Sequence, residues 1–217
     1  MWCLTCQEAV AFRLAAAAGV QTATARVERV ADRPVFLLRR FDREGAARRP
    51  FLSAMSMLGA ADHEIRSSLE IADAIQRYGA APSENLHEPW RRIVFSVLIS
   101  NTDDHLRNHG FLYERNQGWR LSPDYDLNPV PVQFRPRILS TLIDEQSGDA
   151  SIELALSVAE YFRLTPPQAR QAAREVAKAV SGWRREATAL GIPAAETEIV
   201  ASAFEHGDLA YAKKLRT

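Results

Sequence analysis

One stretch in the middle of the chain concentrates side chains that can move protons and hold a metal ion. Asp103, Asp104, His105 and Asn108 follow one another closely. Carboxylates and imidazoles can accept a proton from a reacting group. Carboxylate and carboxamide oxygens are the ligands that Mg²⁺ prefers in proteins. A second polar segment, Ser122 to Asp126, follows after a short gap and adds two more carboxylates.

The spacing within these segments suggests phosphoryl transfer. Asp103 and Asn108 are separated as D-x-x-x-x-N, the spacing of the protein-kinase catalytic loop. There the Asp accepts the proton of the attacking hydroxyl and the Asn oxygen holds Mg²⁺. Asp126 follows a predicted short hairpin, and kinases place a second metal-binding Asp at such a position.

Simpler interpretations stay open at this point. Loops rich in Asp and Asn are common as caps and turns. His105 and His109 lie four residues apart, but on a loop this spacing does not place both rings on one face. A structural or nucleotide-contacting role is therefore expected for His105, and packing is expected for the ring of Tyr125.

The secondary-structure elements that must position these residues are predicted from the periodicity of apolar residues and from the positions of Gly and Pro. A small α/β start is followed by a mainly helical body. The predicted elements are a helix over Gln7–Ala18, a hairpin of Thr22–Val30 and Pro34–Phe41, a helix carrying Ile65 to Ile75, a buried helix over Trp90–Ile99, a hairpin of Phe111–Tyr113 and Trp119–Leu121, a helix from Thr165 to Gly191, and another to about Phe204.

Composition limits the classes of protein. The 217 residues carry 27 basic and 27 acidic side chains, which argues against a surface devoted to nucleic acid or acidic lipid. No segment is apolar enough to span a membrane and no signal peptide is present, so a cytoplasmic protein is expected. Cys3 and Cys6 form a C-x-x-C pair without a second pair, and are interpreted as incidental reduced thiols.

The central motifs closely resemble those of the HipA family, bacterial serine/threonine kinases that are toxins of toxin–antitoxin pairs. The resemblance rests on four segments and covers nearly the whole chain. These segments are Asn101-Thr102-Asp103-Asp104-His105-Leu106-Arg107-Asn108, Gly118-Trp119-Arg120-Leu121-Ser122-Pro123, Tyr125-Asp126-Leu127 and Arg40-Phe41-Asp42-Arg43. The helix containing Glu8 also resembles the family helix that precedes the first hairpin.

The resemblance implies a fold and a set of roles. The fold class is mainly α with a small α+β start: a protein-kinase-like, HipA-type C-lobe with a partial N-lobe. Residues 1–50 would form the partial N-lobe and hinge. Residues 51–217 would form the helical C-lobe, with a catalytic loop at 101–110 and a metal-binding loop at 122–129.

For the site, the resemblance implies Mg-ATP as the cofactor. Asp103 would be the general base, and Asn108 and Asp126 would bind Mg²⁺. The residues expected to contact the nucleotide are Arg39, Arg40, Phe41, His105, Leu106, Arg107, Asn108 and Tyr125. Asp124 stands where a small residue is expected, and the sequence does not explain it.

Two parts of a kinase are missing from the sequence. Family members carry a phosphate-covering loop and an ATP-binding lysine ahead of this region, but here no Gly-rich loop occurs and no lysine precedes Lys178. Arg presents a different geometry and is a poor substitute for that lysine. We therefore expect a truncated kinase region, with weak or no activity alone, that could act with a separately encoded N-lobe.

The expected partners are a protein substrate with a Ser or Thr hydroxyl and a HipB-like DNA-binding antitoxin, with no direct binding to nucleic acid or membrane. Two alternatives stay open. One is a non-catalytic module that binds nucleotide or antitoxin. The other is a metal-dependent phosphoesterase that uses Asp103, Asp104, His105 and Asp126.

Overall fold

The computed structural model of the protein describes residues 4–81 and 86–216, so Cys3 lies outside the described residues. The architecture is mixed α/β, mostly helical with small sheets. The helices are α1 (Leu4–Ala17), α2 (Ala54–Met57), α3 (Ser68–Tyr78), α4 (His87–Ile99), α5 (Ile152–Ser157), α6 (Pro166–Val180), α7 (Trp183–Ala189), α8 (Ala194–Phe204) and α9 (Gly207–Lys214), with a 3₁₀ helix at Ala159–Phe162. The strands are β1 (Ala25–Val30), β2 (Arg33–Leu38), β3 (Arg43–Glu44), β4 (Ala47–Arg48), β5 (Phe51–Ser53), β6 (Gly110–Glu114) and β7 (Gly118–Leu121).

The first hairpin lies against helix α1. Strands β1 and β2 pair antiparallel, with Val30 opposite Arg33. The two turn residues between them have φ values of 47° and 60°, as a tight two-residue hairpin turn requires. Phe36 of β2 packs edge-on against Phe12 of α1, with ring centroids 4.9 Å apart. The predicted helix and hairpin are both confirmed.

Helix α4 forms the centre of the helical body. It is the buried apolar helix that the sequence predicts, and most of its side chains are inaccessible to solvent. Trp90 is fully buried and its indole Nε1 donates to the carbonyl of Ala155, 2.8 Å away. The helix ends at Ser100, whose φ of 51° is left-handed. This sharp stop directs the chain into the polar segment at residues 101–110.

The second hairpin belongs to a three-stranded sheet. Strand β6 pairs with both β5 and β7, and the turn between β6 and β7 lies where Asn116–Gly118 predicts it. Gly110 opens β6 where no side chain fits. A Cβ there would lie 2.4 Å from the Phe51 ring and 2.7 Å from the Ser122 hydroxyl. This close approach holds the end of β7 beside the start of β6.

The carboxy-terminal helices differ from the prediction. One helix was expected from Thr165 to Gly191, but α6 ends at Val180 and α7 begins at Trp183. Ser181 bonds back to the Ala177 carbonyl, and Gly182 is a poor helix former. The interruption lets Trp183 stack on Phe204, with centroids 4.6 Å apart.

Two further helices differ from the prediction: α3 begins later than expected, and α9 was not expected. Ile65 was expected within a helix, yet it is 71% exposed and precedes α3. The reason is that Ser67 and Glu70 form a capping box that begins the helix at Ser68. Helix α9 was not predicted, because its sequence carries little periodicity. Within the described ranges, none of the helices is long and apolar enough to cross a bilayer.

His206 joins the last helix to the centre of the fold. Its Nδ1 accepts the N–H of Leu209 at the start of α9, and its Nε2 lies 3.1 Å from the carbonyl of Leu98 in α4. A ring that accepts at one nitrogen and donates at the other is neutral. Burial and the charge of Arg137 lower the pKa of His206 to about 4.

This neutral histidine makes one acid-sensitive contribution to stability. At His206 the unfolded chain binds the proton more readily than the native state between about pH 6.5 and pH 4, so this contribution falls as the pH drops, whereas buried carboxyls with raised pKa values contribute in the opposite direction. We expect His206 to remove about 2 kcal/mol of unfolding free energy between pH 7.5 and pH 5. In His206→Asn, which keeps a capping acceptor, this loss should disappear in urea titrations at the two pH values. His63→Asn, at an exposed position, should behave like the parent; an unchanged pH response in His206→Asn would contradict the assignment.

Candidate functional site

The catalytic-loop residues lie directly after α4 and are tied to the second polar loop. Asn101 is buried, and its Oδ1 accepts the backbone N–H of Asn128 at 3.1 Å. The hydroxyl of Tyr125 donates to the carbonyl of Arg107 at 2.6 Å. These two hydrogen bonds cross between the loops, so residues 101–110 and 122–129 are held side by side.

Asp103 and Asn108 have opposite exposures. The side chain of Asp103 is 58% exposed and accepts from Nη1 of Arg135 at 2.8 Å. Asn108 is buried, and its Nδ2 donates to the backbone carbonyl of Asp103 at 3.3 Å. This bond closes the loop and uses the amide nitrogen, which leaves the Asn108 Oδ1 for a ligand.

Asp126 lies on the second loop with a left-handed backbone, φ 60°. Its Oδ1 accepts from Nδ2 of Asn128 at 2.6 Å. That bond orients the carboxylate and leaves its other oxygen uncommitted among the bonds of the described chain. Each of the two predicted metal ligands is therefore oriented by one hydrogen bond, through the amide nitrogen of Asn108 and through Oδ1 of Asp126, and has another oxygen uncommitted among the bonds of the described chain.

Asp124, which the sequence did not explain, is part of the fold. Its backbone N–H donates to the Gln21 carbonyl at 2.7 Å, and its own carbonyl accepts from Ala23 at 3.0 Å. Its buried carboxylate lies 3.6 Å from Nη1 of Arg92. Burial raises the pKa of Asp124 to about 6, despite the opposing charge of Arg92. Asp124 thus fastens the second loop to the connection between α1 and β1.

Arg92 of α4 joins three parts of the chain. Its Nε donates to Glu88 of the same helix at 3.0 Å. Its Nη2 donates to the Ser122 carbonyl at 2.8 Å, at the end of β7. The same nitrogen lies 3.4 Å from the carbonyl of Gln21. The side chain is almost completely buried. It therefore fixes the second loop and the small α/β unit relative to α4.

Asp104 and His109 form a buried pair beneath the catalytic loop. His109 Nε2 lies 3.1 Å from Oδ1 of Asp104, and the Ser96 hydroxyl donates to Oδ2 at 3.2 Å. Burial opposes both charges, but the attraction between the two groups lowers the pKa of Asp104 and raises that of His109. The pair is accordingly charged and supports the loop from inside, and His109 does not share a ligand with His105.

The other catalytic-loop residues have structural anchors. Leu106 is buried, and its carbonyl accepts from the N–H of Met55. The guanidinium of Arg107 pairs with Asp62, while its carbonyl accepts from Tyr125. The backbone N–H of His105 donates to the Asp103 carbonyl, and its buried Nδ1 has no protein partner within the described ranges.

The predicted hinge follows β2 and reaches the same site. The Arg39 N–H donates to the Thr24 carbonyl at 2.8 Å, which extends the hairpin. Arg40 forms a bidentate pair with Asp42 at 2.8 and 2.6 Å. The Phe41 ring lies against Tyr125, with centroids 5.5 Å apart. Phe41 therefore connects the end of the hairpin to the second loop.

Glu8 is a charged group of this region that the sequence did not assign to the site. It lies on α1, and burial together with the negative charge of Asp126 raises its pKa to about 7. A usable signal was present: Glu8 interrupts a helix whose neighbouring residues, Ala9 and Val10, are buried and apolar. Arg92, within the predicted buried helix, carried a similar signal.

Comparison with known proteins identifies the family of the chain. Residues 1–183 match the model of the HipA-like C-terminal domain, and the chain belongs to this family. A Haemophilus influenzae protein named "Putative kinase" is 31% identical over 99 residues, 44% of this chain and 29% of the relative. "Putative kinase Y4mE" of Sinorhizobium fredii is 27% identical over 131 residues, 55% of this chain and 31% of the relative. The matched segments thus span about a third of each relative.

Solved structures show the same fold. A chain of the Shewanella oneidensis MR-1 complex of HipA, HipB and operator DNA has a TM-score of 0.74 at 16% identity, covering 99% of this chain and 58% of that one. The Helicobacter pylori proinflammatory kinase CtkA has a TM-score of 0.56 at 12% identity, covering 91% of this chain and 88% of that one. The mostly helical architecture with small sheets is therefore that of HipA and CtkA.

The network around Arg92 makes a prediction about stability. Arg92→Met would leave the buried Asp124 without its cation, at a cost of about 3 kcal/mol in unfolding free energy. Adding Asp124→Asn to that variant should recover part of the loss, because it removes the uncompensated carboxylate. Urea titration measures the parent, Arg92→Met, Asp124→Asn and the double variant.

The adjacent Arg91 provides the matched control. It is partly exposed and pairs with Glu175 at 3.1 Å, so Arg91→Met should cost about 1 kcal/mol or less. Equal losses in Arg92→Met and Arg91→Met, or additive effects of Arg92→Met and Asp124→Asn, would contradict the role given to Arg92.

Proposed function

We propose that this chain is the catalytic region of a HipA-type serine/threonine protein kinase, which transfers the γ-phosphoryl group of Mg-ATP to a protein hydroxyl. The observation that carries the proposal is the direct joining of the two loops. The bonds from Tyr125 to Arg107 and from Asn128 to Asn101 link the loop that carries Asp103 and Asn108 to the loop that carries Asp126, which supports a shared site. Membership of the family and the names of its relatives support the same reaction.

Asp103 is the general base of the proposed reaction. A base must reach the proton of an incoming hydroxyl, so it has to be accessible. Asp103 is exposed, whereas the adjacent Asp104 is buried against His109. Of the two neighbouring carboxylates, Asp103 can therefore meet a protein substrate, and Asp104 supports the loop.

Asn108 and Asp126 are the proposed ligands of Mg²⁺. Within the described ranges, Oδ1 of Asn108 and one carboxylate oxygen of Asp126 accept no protein hydrogen bond. Mg²⁺ takes few protein oxygens and leaves its other positions to phosphate and water. Burial and, to a lesser extent, the negative charge of Asp126 raise the pKa of Glu8, so the carboxylates of Glu8 and Asp126 act on each other at this place. When bound, the ion would offset the charge of the phosphates.

The nucleotide base would lie at the hinge. Within the described residues, the backbone N–H groups of Arg40 and Phe41 have no partner in the chain, so they can bond to adenine. Phe41 and Tyr125 offer adjacent aromatic surface at the entrance to the second loop. Residues His105 to Asn108 would line the phosphate side of the pocket.

The phosphate-covering loop and the ATP-binding lysine would come from outside these 217 residues, on an adjoining segment or a separately encoded N-lobe. Kinases pair that lysine with a glutamate of the small-lobe helix. Glu8 lies on the helix that precedes the hairpin, and burial together with the charge of Asp126 raises its pKa, so a lysine from outside these residues would be a favourable partner. Without this segment, positioning of the phosphates is incomplete and transfer is expected to be weak.

A HipB-like DNA-binding antitoxin is the partner we propose by analogy with the solved HipA complex. A non-catalytic module that binds nucleotide or antitoxin is the second candidate, favoured by the missing lysine. The phosphoesterase hypothesis is less well supported, since Asp104 faces His109 and Asp103 faces Arg135. The described part of the chain also holds no group of three His, Cys, Asp or Glu placed for a metal.

The proposed roles predict that different residues affect nucleotide binding and phosphoryl transfer. Asp103→Asn should leave Mg-ADP binding within about twofold, because Asp103 acts on the substrate hydroxyl, and should lower phosphoryl transfer about 10²- to 10⁴-fold. Asp126→Asn should instead weaken the Mg²⁺-dependent part of nucleotide binding. Calorimetry and radiolabelled transfer to a protein substrate measure these effects, with Asp73→Asn on the exposed face of α3 as the control.

Each alternative function predicts a different experimental result. A parent chain that binds no nucleotide but holds a DNA-binding antitoxin would establish the binding module. Nucleotide-independent phosphoester hydrolysis, stimulated by Mn²⁺ or Zn²⁺, would establish the phosphoesterase. Strong transfer by the isolated chain, abolished in Asp103→Ala, would overturn the expectation of weak activity alone.

A further inference from the structure

Arg135 lies at the proposed base although it belongs to neither predicted loop. It follows the second loop in sequence, and its Nη1 donates to Oδ1 of Asp103 at 2.8 Å. Its Nη2 lies 3.3 Å from the hydroxyl of Ser140. That hydroxyl in turn donates to the Thr102 carbonyl at 2.9 Å. Arg135 is therefore held against the catalytic loop from two sides.

The fold does not need this ion pair. The side chains of Arg135 and Asp103 are 43% and 58% exposed, and ion pairs in contact with water contribute little to stability. A guanidinium carries five N–H donors in a planar fork, and the two bonds described here leave donors unused. The Arg135 guanidinium therefore stays beside the proposed base and still has N–H donors that can bind a second anion.

The proposed chemistry puts an anion there. The base has to contact the hydroxyl that attacks the γ-phosphorus, so a group hydrogen-bonded to the base lies within a few ångströms of the transferred phosphoryl group. Arg forms paired hydrogen bonds with phosphate oxygens. The neighbouring Arg107 is already engaged by Asp62, and the chain has no lysine before Lys178.

We propose that Arg135 binds the γ-phosphate of the nucleotide and stabilises the negative charge on the phosphoryl group during transfer. The proposal rests on the proposed kinase function. The guanidinium bridges the Asp103 carboxylate and a γ-phosphate oxygen, so it holds the base and the phosphoryl group at a fixed separation. Arg135 thus supplies, from within this chain, a cation at the reacting end of the nucleotide.

The test compares two nucleotides that differ at the γ-phosphate. Calorimetry measures binding of Mg-AMP-PNP and Mg-ADP to the full chain and to Arg135→Ala. Loss of a charge-assisted phosphate contact should weaken Mg-AMP-PNP binding about tenfold or more, while Mg-ADP binding stays within about twofold. Arg135→Lys should retain part of the Mg-AMP-PNP affinity. The control is Arg120→Ala, since Arg120 is equally exposed and pairs with Glu114; it should change neither.

The same comparison in the Asp103→Asn chain distinguishes direct contact of Arg135 with the γ-phosphate from an effect of Arg135 on the charge of Asp103. In Arg135→Ala the unpaired Asp103 carboxylate would repel the γ-phosphate. The Asp103→Asn substitution removes that repulsion. If Arg135 contacts the γ-phosphate, Arg135→Ala should still weaken Mg-AMP-PNP selectively in the Asp103→Asn chain. A selective effect that vanishes in that background would overturn the contact.

Other outcomes would also overturn the proposal. Equal weakening of both nucleotides would indicate a structural role, and tighter Mg-AMP-PNP binding in Arg135→Ala would show that Arg135 blocks the site. Retained binding of both nucleotides with no effect of Arg135→Ala would reject the contact and leave the kinase function standing. A parent chain that binds neither nucleotide would reject the kinase function itself, and this inference with it.

Discussion

The site depends on a buried arginine. Arg92 of α4 is bonded to Glu88, to the Ser122 carbonyl and to the Gln21 carbonyl, and faces the Asp124 carboxylate at 3.6 Å. A buried charge is tolerated only where its hydrogen bonds and its counter-charge are supplied. Those partners come from three separate stretches of chain. The requirement to satisfy Arg92 therefore fixes where these stretches lie relative to one another.

The consequence is a site in which Asp103 is exposed while the groups that hold the two loops are largely buried. Asp104 and His109 hold the first loop from inside, and Asp124 holds the second. Asp103 is left facing solvent and Asp126 keeps an uncommitted oxygen. In this arrangement the buried charges fix the positions of the two loops, and Asp103 stays accessible beside Arg135.

Sequence patterns predicted much of the fold, and for identifiable reasons. Helix α1, both hairpins and buried α4 have strong periodicity or distinctive turn residues. The break at Ser181-Gly182 was missed because it depends on the stacking of Trp183 on Phe204, a contact between distant residues. Helix α9 was missed because its start is capped by His206, which is not a typical capping residue.

For the site, short-range motifs were informative and long-range pairing was not. The D-x-x-x-x-N spacing directed attention to Asp103 and Asn108, and the structure joins their loop to that of Asp126. A charged residue within an apolar helix was a signal for Arg92, but the partners of Arg92 and Arg135 could not be predicted, because each pairs with residues roughly 30 positions away. Asp124 looked anomalous beside a metal site, and becomes intelligible only once Arg92 is seen facing it.

The most direct test of the account is a crystal structure of the chain with Mg²⁺ and AMP-PNP. The account predicts an ion bound by the Asn108 Oδ1 and the Asp126 carboxylate, adenine at the backbone of Arg39 to Phe41, and the γ-phosphate beside Asp103. An ion held elsewhere, or a nucleotide bound away from these two loops, would contradict it.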